Sequence, residues 1–192
     1  MEATDTRESG TGSPEPTGLI ARVLAWDLAF LRMLVALDLP PGVRVFLRLL
    51  VRVGDGWIWG LAALYLFLSM PDRFWSVVWH CLLTVGISLC FYWPVKLLLR
   101  RPRPHTSVLG VTAGVPPLDK FSFPSGHTMN NLAVALTLSL YLPQLLVPAL
   151  VLPLVWGVLR ILFGVHYLTD IAGGALLGGL SFFLAKAAFA AI

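Results

Sequence analysis

Four ionisable side chains stand out in the second half of the chain, in a stretch that is otherwise apolar. Between Phe121 and Ala185 the sequence contains no other Asp, Glu, Lys, Arg or His. Ionisable groups at membrane depth are costly to bury and by default mark functional positions with partners. The four are His127, Arg160, His166 and Asp170.

His166 and Asp170 are four residues apart, a spacing that places two side chains on one face of a helix. The carboxylate can then accept a hydrogen bond from one ring nitrogen and leave the other as a base or nucleophile. A satisfied structural pair is the alternative interpretation of this spacing taken alone. Arg160 precedes His166 by six residues and is close enough to return to the same pocket.

The tetrapeptide PSGH, residues 124–127, has the pattern of a helix start. Ser125 is the expected N-cap, and the free backbone N–H groups beside it, including that of Gly126, form a ready anion site. His127 stands next to this site. Upstream, Lys96 precedes Arg103 by seven residues, and both present positive charge.

Cations, a helix N-terminus and two histidines at one point suit phosphoryl transfer. One histidine would attack phosphorus and the other would protonate the leaving oxygen, giving a phosphohistidine that water later hydrolyses. This chemistry predicts no metal and no cofactor. His80, Cys81 and Cys90 do not have metal-ligand spacing and are interpreted as packing residues.

The composition indicates an integral membrane protein with the lipid bilayer as its environment. Of the 192 residues, 57% are hydrophobic and 12% charged, and the mean hydropathy is +0.81. The net charge of +4 comes from basic residues scattered among apolar segments, which does not favour nucleic acid and favours an anionic lipid or phosphate. We expect a disordered tail over residues 1–17 and one membrane-embedded domain over residues 18–192.

The predicted fold class is all-α, a polytopic bundle of transmembrane helices. Residues 18–38 are either a sixth span with its charges turned inward or a helix in the interface. Arg44, Arg48 and Arg52 recur every four residues and predict an interfacial helix. The five predicted spans are residues 56–70, 74–99, 125–142, 145–163 and 167–190.

Helix parity predicts one active face. Each pair of spans after residue 99 returns to the same side, so the chemically interesting groups should meet there. These groups are Lys96, Arg103, His127, Arg160, His166 and Asp170. Within the last span, Gly174 and Gly178 form a small-xxx-small pair that predicts close helix packing, and Asn130 and Asn131 predict interhelical hydrogen bonds.

Three segments resemble the motifs of the type 2 phosphatidic acid phosphatase superfamily, which includes lipid phosphate phosphatases, glucose-6-phosphatase and vanadium haloperoxidases. The family patterns K-x6-R-P, P-S-G-H and S-R-x5-H-x3-D are similar to KLLLRRPRP (residues 96–104), PSGH (residues 124–127) and LRILFGVHYLTD (residues 159–170). Leu159 stands where the family usually has serine. The soluble haloperoxidases fit this apolar chain poorly.

The resemblance implies a role for each matched residue. It implies that His166 is the nucleophile, His127 the acid and base, and Asp170 the orienting carboxylate. The residues implied to bind phosphate are Lys96, Arg103, Ser125, Gly126 and Arg160. Arg100 and Arg101 are interpreted as snorkelling to the interface, and His105 as a loop residue that could reach the headgroup.

The expected function is hydrolysis of a lipid phosphate monoester or diphosphate, of the polyprenyl diphosphate, phosphatidylglycerophosphate or phosphatidate type. Two alternatives stay open: a lipid phosphotransferase with the same intermediate, and a non-catalytic anion- or lipid-binding membrane protein. The family resemblance favours an extracytoplasmic catalytic face, whereas the positive charge on that face would favour the cytoplasm. The sequence does not indicate an oligomeric state.

Overall fold

The computed structural model describes residues 18–108, 110, 113–117 and 119–191. The tail predicted for residues 1–17 lies outside the described residues. Within the described ranges the chain is helical and contains no strand, apart from one isolated antiparallel bridge between Pro102 and Phe121. The helices are α1 Leu19–Val35, α2 Pro41–Arg52, α3 Ile58–Ser69, α4 Pro71–Leu99, α5 Pro104–Ser107, α6 Gly126–Ser139, α7 Leu146–Leu162 and α8 Leu168–Phe189.

Four helical segments in the described residues are long and apolar enough to cross a bilayer. They are Pro41–Ser69, Pro71–Leu99, Pro143–Leu162 and Leu168–Phe189. The predicted count of five spans is therefore not confirmed. The difference lies in residues 125–142, because α6 has 14 residues, or about 21 Å, against a hydrocarbon thickness of about 30 Å.

Helix α6 occupies the middle of the bundle, where it packs against α4, α7 and α8. Its two asparagines form interhelical hydrogen bonds, as predicted. Asn130 accepts a hydrogen bond from Ser88 on α4 (2.7 Å), and Asn131 accepts one from Trp59 on α3 (2.7 Å). A short helix is tolerated here because its surroundings are mostly protein.

Helix α2 is joined to the first predicted span without an intervening loop. It continues into α3 through a π-helical turn, Val53–Trp57, so that Pro41–Ser69 is one helical segment with a kink. The kink lies at Gly56, whose φ of 124° is open to glycine and strained for other residues. The predicted start of this span near residue 56 coincides with the kink, after which α3 begins at Ile58.

The glycines predicted to allow close packing do so between α6 and α8. A Cβ on Gly174 would lie 2.6 Å from the carbonyl oxygen of Ser125, and one on Gly178 would lie 2.5 Å from that of Met129. Real Cβ atoms do not approach backbone oxygens so closely. The absence of side chains at these two positions lets α8 lie directly against the helix that begins at PSGH.

Candidate active site

His166 lies in the short segment between α7 and α8, where burial and hydrogen bonds fix its ring. Its Nδ1 is 3.4 Å from Oδ2 of Asp170, and the two side chains are 2% and 0% exposed. The same carboxylate oxygen accepts the Tyr167 backbone N–H at 2.8 Å, at the start of α8. Asp170 thus stabilises the helix N-terminus and contacts the imidazole, as the four-residue spacing predicts.

Arg101 holds the other side of this carboxylate. Its guanidinium donates to Oδ1 of Asp170 (2.8 Å) and to Oδ2 of Asp27 on α1 (2.7 Å), and it lies 3.9 Å from the centre of the Tyr167 ring. Asp27 in turn accepts the backbone N–H of Thr169 at 2.9 Å. The interpretation of Arg101 as a snorkelling residue is therefore wrong, because it lies between two buried carboxylates. Asp27, one of the charged residues of α1, is therefore buried inside the bundle.

Burial lowers the pKa of His166 to about 4, although the hydrogen bond with Asp170 acts in the opposite direction. The imidazole is therefore neutral at physiological pH. With Nδ1 facing the carboxylate, the lone pair of Nε2 is available for attack. Nε2 is 3.3 Å from a terminal nitrogen of Arg103, on the cavity side of the ring.

Lys96 and Arg103 meet at Asp119, a residue for which we predicted no role. Lys96 Nζ is 2.8 Å from one carboxylate oxygen, and Arg103 is 2.9 Å from the other. The Tyr92 hydroxyl, which accepts from Lys96 at 2.6 Å, donates to Asp119 at 2.6 Å. Burial alone would raise the pKa of Asp119, but the hydrogen bonds from Lys96 and Tyr92 outweigh it and hold the pKa at about 2.

His127 and Arg160 share a third carboxylate, Asp55, which also had no predicted role. Nε2 of His127 is 3.1 Å from Oδ1 of Asp55, and Arg160 donates a hydrogen bond to the same oxygen. The Nε of Arg160 is buried and has no partner among the described residues, so part of this guanidinium is unused. Asp55 lies in the π-helical turn between α2 and α3.

Ser125 and Gly126 form the start of α6. Ser125 is the N-cap of the helix, and its buried hydroxyl accepts hydrogen bonds from the backbone and the hydroxyl of Thr128 (3.5 and 3.1 Å). Gly126 borders the cavity, and a Cβ there would lie 2.7 Å from the Tyr92 ring. The predicted helix start is confirmed, with the Ser125 hydroxyl turned into the helix.

These groups surround a cavity of about 380 Å³. Ser125 and Asp170 do not line it. The predicted residues that do are Lys96, Arg103, Gly126, His127, Arg160 and His166, together with Asp55, Tyr92 and Asp119. Three cations and two histidines at one cavity can hold a phosphate and move protons around it. His105 does not line the cavity, and its Nδ1 is buried without a partner in the described part of the chain.

A metal ion needs a group of ligating side chains arranged around it. Within the described ranges, no group of three or more His, Cys, Asp or Glu residues is arranged to hold an ion. Each carboxylate near the cavity instead contacts a cationic or histidine side chain. The three cationic side chains that line the cavity suit an anion.

The segment from α4 to α8 matches a known family model, that of the PAP2 superfamily, over residues 77–191. The chain belongs to the PAP2 superfamily. The resemblance inferred from the three motifs is thereby confirmed, and the matched region contains all the predicted site residues. The kinked segment with Asp55 and helix α1 with Asp27 lie before it.

Named relatives agree with this assignment. Over 88 residues the chain is 40% identical to decaprenylphosphoryl-5-phosphoribose phosphatase of Mycobacterium tuberculosis, a match that covers 44% of this chain and 45% of the relative. The phosphatase of the same name from Mycolicibacterium smegmatis is 30% identical over 155 residues, which are 77% of this chain and 80% of that one. The chain thus matches less than half of the first relative's length and most of the second's.

A solved structure shares the fold. The transmembrane PAP2-type phosphatidylglycerolphosphate phosphatase from Bacillus subtilis superposes with a TM-score of 0.66 at 24% identity, covering 89% of this chain and 88% of that one. At this identity the similarity establishes the architecture alone. Together with the four apolar helices, it makes this chain an integral membrane protein.

Proposed function

We propose that this protein is a membrane phosphatase that hydrolyses a lipid phosphate monoester or diphosphate through a phosphohistidine intermediate. One observation carries the proposal. Nε2 of the neutral, buried His166 borders a cavity that is also lined by Lys96, Arg103, Arg160 and His127. A nucleophile, three cations and a second histidine are the parts that phosphoryl transfer needs.

In the first step Nε2 of His166 attacks phosphorus and the bond from phosphorus to the ester oxygen breaks. Lys96, Arg103 and Arg160 bind the phosphoryl oxygens, and the Gly126 backbone N–H at the start of α6 adds a further donor with the helix dipole behind it. Asp170 stabilises the imidazolium through Nδ1. His127 gives its proton to the leaving oxygen, so that the lipid departs as an alcohol from a monoester and as a monophosphate from a diphosphate.

In the second step water attacks the phosphohistidine, and His127, now neutral, takes the proton from that water. The bond between Nε2 and phosphorus breaks, inorganic phosphate leaves, and both histidines return to their first states. In this scheme Ser125 holds the start of α6 in place rather than contacting phosphate through its hydroxyl, because that hydroxyl accepts from Thr128 and Ser125 does not line the cavity.

An apolar groove supports a lipid as the substrate. The groove has a volume of about 430 Å³ and is lined by α3, α6 and α7. Trp59 lines both the groove and the polar cavity. A lipid tail lying between these helices would therefore bring its phosphate to His166 without leaving the membrane.

The names of the relatives guide the choice of headgroup. They are phosphatases named for a polyprenyl-linked phosphoribose and for phosphatidylglycerolphosphate, both lipids with a phosphate at the end of the head. We propose a substrate of this class, with the catalytic face outside the cytoplasm as the family resemblance implies. A membrane-impermeant maleimide tests the orientation: it should label Lys120→Cys in intact cells when Cys81 and Cys90 are replaced by serine. Labelling only after the cells are opened would reverse the orientation.

Phosphate release by the detergent-purified protein tests the function. The substrates are phosphatidate, phosphatidylglycerophosphate and polyprenyl mono- and diphosphates, each assayed with EDTA present. We expect release that survives EDTA and falls at least about 10⁴-fold in His166→Ala, because the nucleophile itself is lost. A short pulse of substrate radiolabelled in its phosphate, stopped by alkaline denaturation, should leave an acid-labile labelled phosphate on the parent chain.

Two results would contradict this function. No release from any lipid, with His166→Ala still binding inorganic phosphate as well as the parent, would indicate a non-catalytic binder. Transfer of the label to an added alcohol without release of free phosphate would indicate a phosphotransferase instead.

A further inference from the structure

Asp55 is an ionisable residue near the cavity that lies outside the three family motifs. It sits between Gly54 and Gly56 in the π-helical turn where α2 bends into α3. A Cβ at Gly54 would lie 2.7 Å from the Trp156 ring, so only glycine lets the turn approach α7 this closely. The turn therefore has a specific geometry that brings one carboxylate inward.

A second set of contacts attaches the turn to α6. Asn131 donates from Nδ2 to the backbone carbonyl of Gly54 (2.9 Å), and Asn131 is itself oriented by the Trp59 indole N–H (2.7 Å). Asn131 follows His127 by four residues on α6, so both side chains lie on the same face of that helix. The asparagine thus fixes the backbone beside Asp55, and the histidine meets the side chain of Asp55.

Oδ1 of Asp55 is the atom that His127 contacts. It lies 3.1 Å from Nε2 of His127 and also accepts from Arg160, while Oδ2 is 3.5 Å from the exposed Arg52. This arrangement parallels the contact between Asp170 and Nδ1 of His166, with the roles of the two ring nitrogens exchanged. In both cases a carboxylate fixes one nitrogen and so decides which nitrogen remains for chemistry.

We propose that Asp55 is the positioning residue of His127: it holds the Nε2 proton and leaves Nδ1 to exchange a proton with the leaving oxygen and with water. The proposal rests on the proposed function. In the first step the Nδ1 proton of the imidazolium passes to the ester oxygen as its bond to phosphorus breaks. In the second step the neutral Nδ1 takes a proton from the attacking water, while Asp55 stays ionised and keeps Nε2–H throughout.

Arg160 makes the choice of experiment important. Because it shares Oδ1 of Asp55 with His127, removal of the carboxylate also disturbs a phosphate-binding cation. A loss of activity alone would not separate the two effects. Loss of general acid catalysis depends on the leaving group, whereas loss of phosphate binding does not.

The test compares two soluble monoesters, decyl phosphate and p-nitrophenyl phosphate, with the full chain in detergent. The alkoxide of decanol needs a proton to leave, whereas p-nitrophenolate does not. In Asp55→Asn we expect kcat/KM for decyl phosphate to fall about 10²-fold more than kcat/KM for p-nitrophenyl phosphate. The nitrophenyl ester should also give a burst of p-nitrophenol, because phosphohistidine hydrolysis still needs His127 as a base.

Two reference variants define the outcome. His127→Asn should show the same selective loss, and Asp119→Asn, which removes a carboxylate from Lys96 and Arg103, should lower both substrates by equal factors. Equal loss for both esters in Asp55→Asn, or no loss, would overturn the proposal. If Asp55→Asn does not fold, Asn131→Ala, which releases the Gly54 carbonyl, should show the selective loss to a smaller degree.

The failure of this proposal is distinguishable from failure of the function. If the parent protein hydrolyses both esters and His166→Ala hydrolyses neither, the phosphatase activity stands whatever Asp55→Asn shows. If the parent hydrolyses neither ester nor any lipid phosphate, the proposed function itself is wrong.

Discussion

Two histidine–carboxylate pairs face the same cavity, and they are built in opposite ways. His166 lies just before α8 and Asp170 lies in its first turn. The two side chains are 2% and 0% exposed, and Asp170 contacts Arg101. His127 and Asp55 come from α6 and from the bend between α2 and α3, and they are 15% and 27% exposed. One pair is local and buried, and the other is assembled from distant segments and reaches the cavity.

The difference matches the two tasks we propose. A nucleophile must be neutral and rigidly aimed, and burial supplies both because it disfavours the imidazolium and restricts the ring. A residue that exchanges protons with a leaving group and then with water must reach the cavity contents. The comparison therefore predicts larger effects for changes on the buried side.

Among changes to the two carboxylates, the larger effect is expected from Asp170→Asn. An asparagine can present its amide to Nδ1 of His166 and favour the wrong tautomer, which moves the proton onto the attacking Nε2. We expect kcat to fall by about 10³- to 10⁴-fold, a larger loss than Asp55→Asn causes with the same lipid. Steady-state kinetics on the purified variant measure this, with thermal unfolding in detergent as the control. A loss smaller than that of Asp55→Asn would break the comparison.

The next prediction compares the arginine that contacts Asp170, which is Arg101, with an arginine that contacts Asp55, which is Arg52. Arg101→Ala would leave Asp27 and Asp170 buried without a cation, and we expect the free energy of unfolding to fall by about 3–5 kcal/mol. Arg52→Ala on the other side removes an exposed contact of 3.5 Å to Asp55 and should cost less than about 1 kcal/mol. Unfolding in mixed micelles at increasing SDS fraction compares them, and similar losses in both variants would contradict the distinction.

The smallest effect concerns the interface that joins the two pairs, where α6 lies against α8. Gly178→Ala would put a Cβ 2.5 Å from the Met129 carbonyl oxygen, which the backbone of α6 cannot avoid without moving. We expect a cost of about 1–3 kcal/mol in the free energy of unfolding. Gly179→Ala is the matched control, since no atom lies within 4 Å of its added Cβ and alanine favours a helix. Equal stability of the two variants would show that the contact between α6 and α8 can adjust to a Cβ at position 178.

The sequence predicts the local pair and misses the partners that come from afar. The four-residue separation is enough to pair His166 with Asp170, although His166 lies just before α8 and not on it. Lys96, Arg103 and Arg160 meet at one cavity, as predicted. The partner of His127 follows from how far α2 bends toward α6, which is a tertiary property. The one local signal was the pair of glycines around Asp55, which permits a bend but does not give its direction.

Fold predictions that depend on neighbouring helices are the weakest, for a similar reason. The apolar run after PSGH predicts a span, and this span is not confirmed because its helix stops at Ser139 and packs among longer helices. Arg101 resembles an interfacial arginine because its partners, Asp27 and Asp170, belong to α1 and α8. Hydropathy reports how apolar a segment is, whereas the neighbours that make a buried charge tolerable depend on packing.

Asp119 has a consequence for turnover. With a pKa of about 2 it remains ionised at every physiological pH and supplies Lys96 and Arg103 with a counter-ion when the cavity is empty. In the proposed mechanism an entering phosphoryl group would therefore meet cations that are already partly neutralised, and Asp119 would replace inorganic phosphate as it leaves. Such a built-in competitor would weaken product inhibition, because Lys96 and Arg103 would keep a counter-ion after phosphate departs.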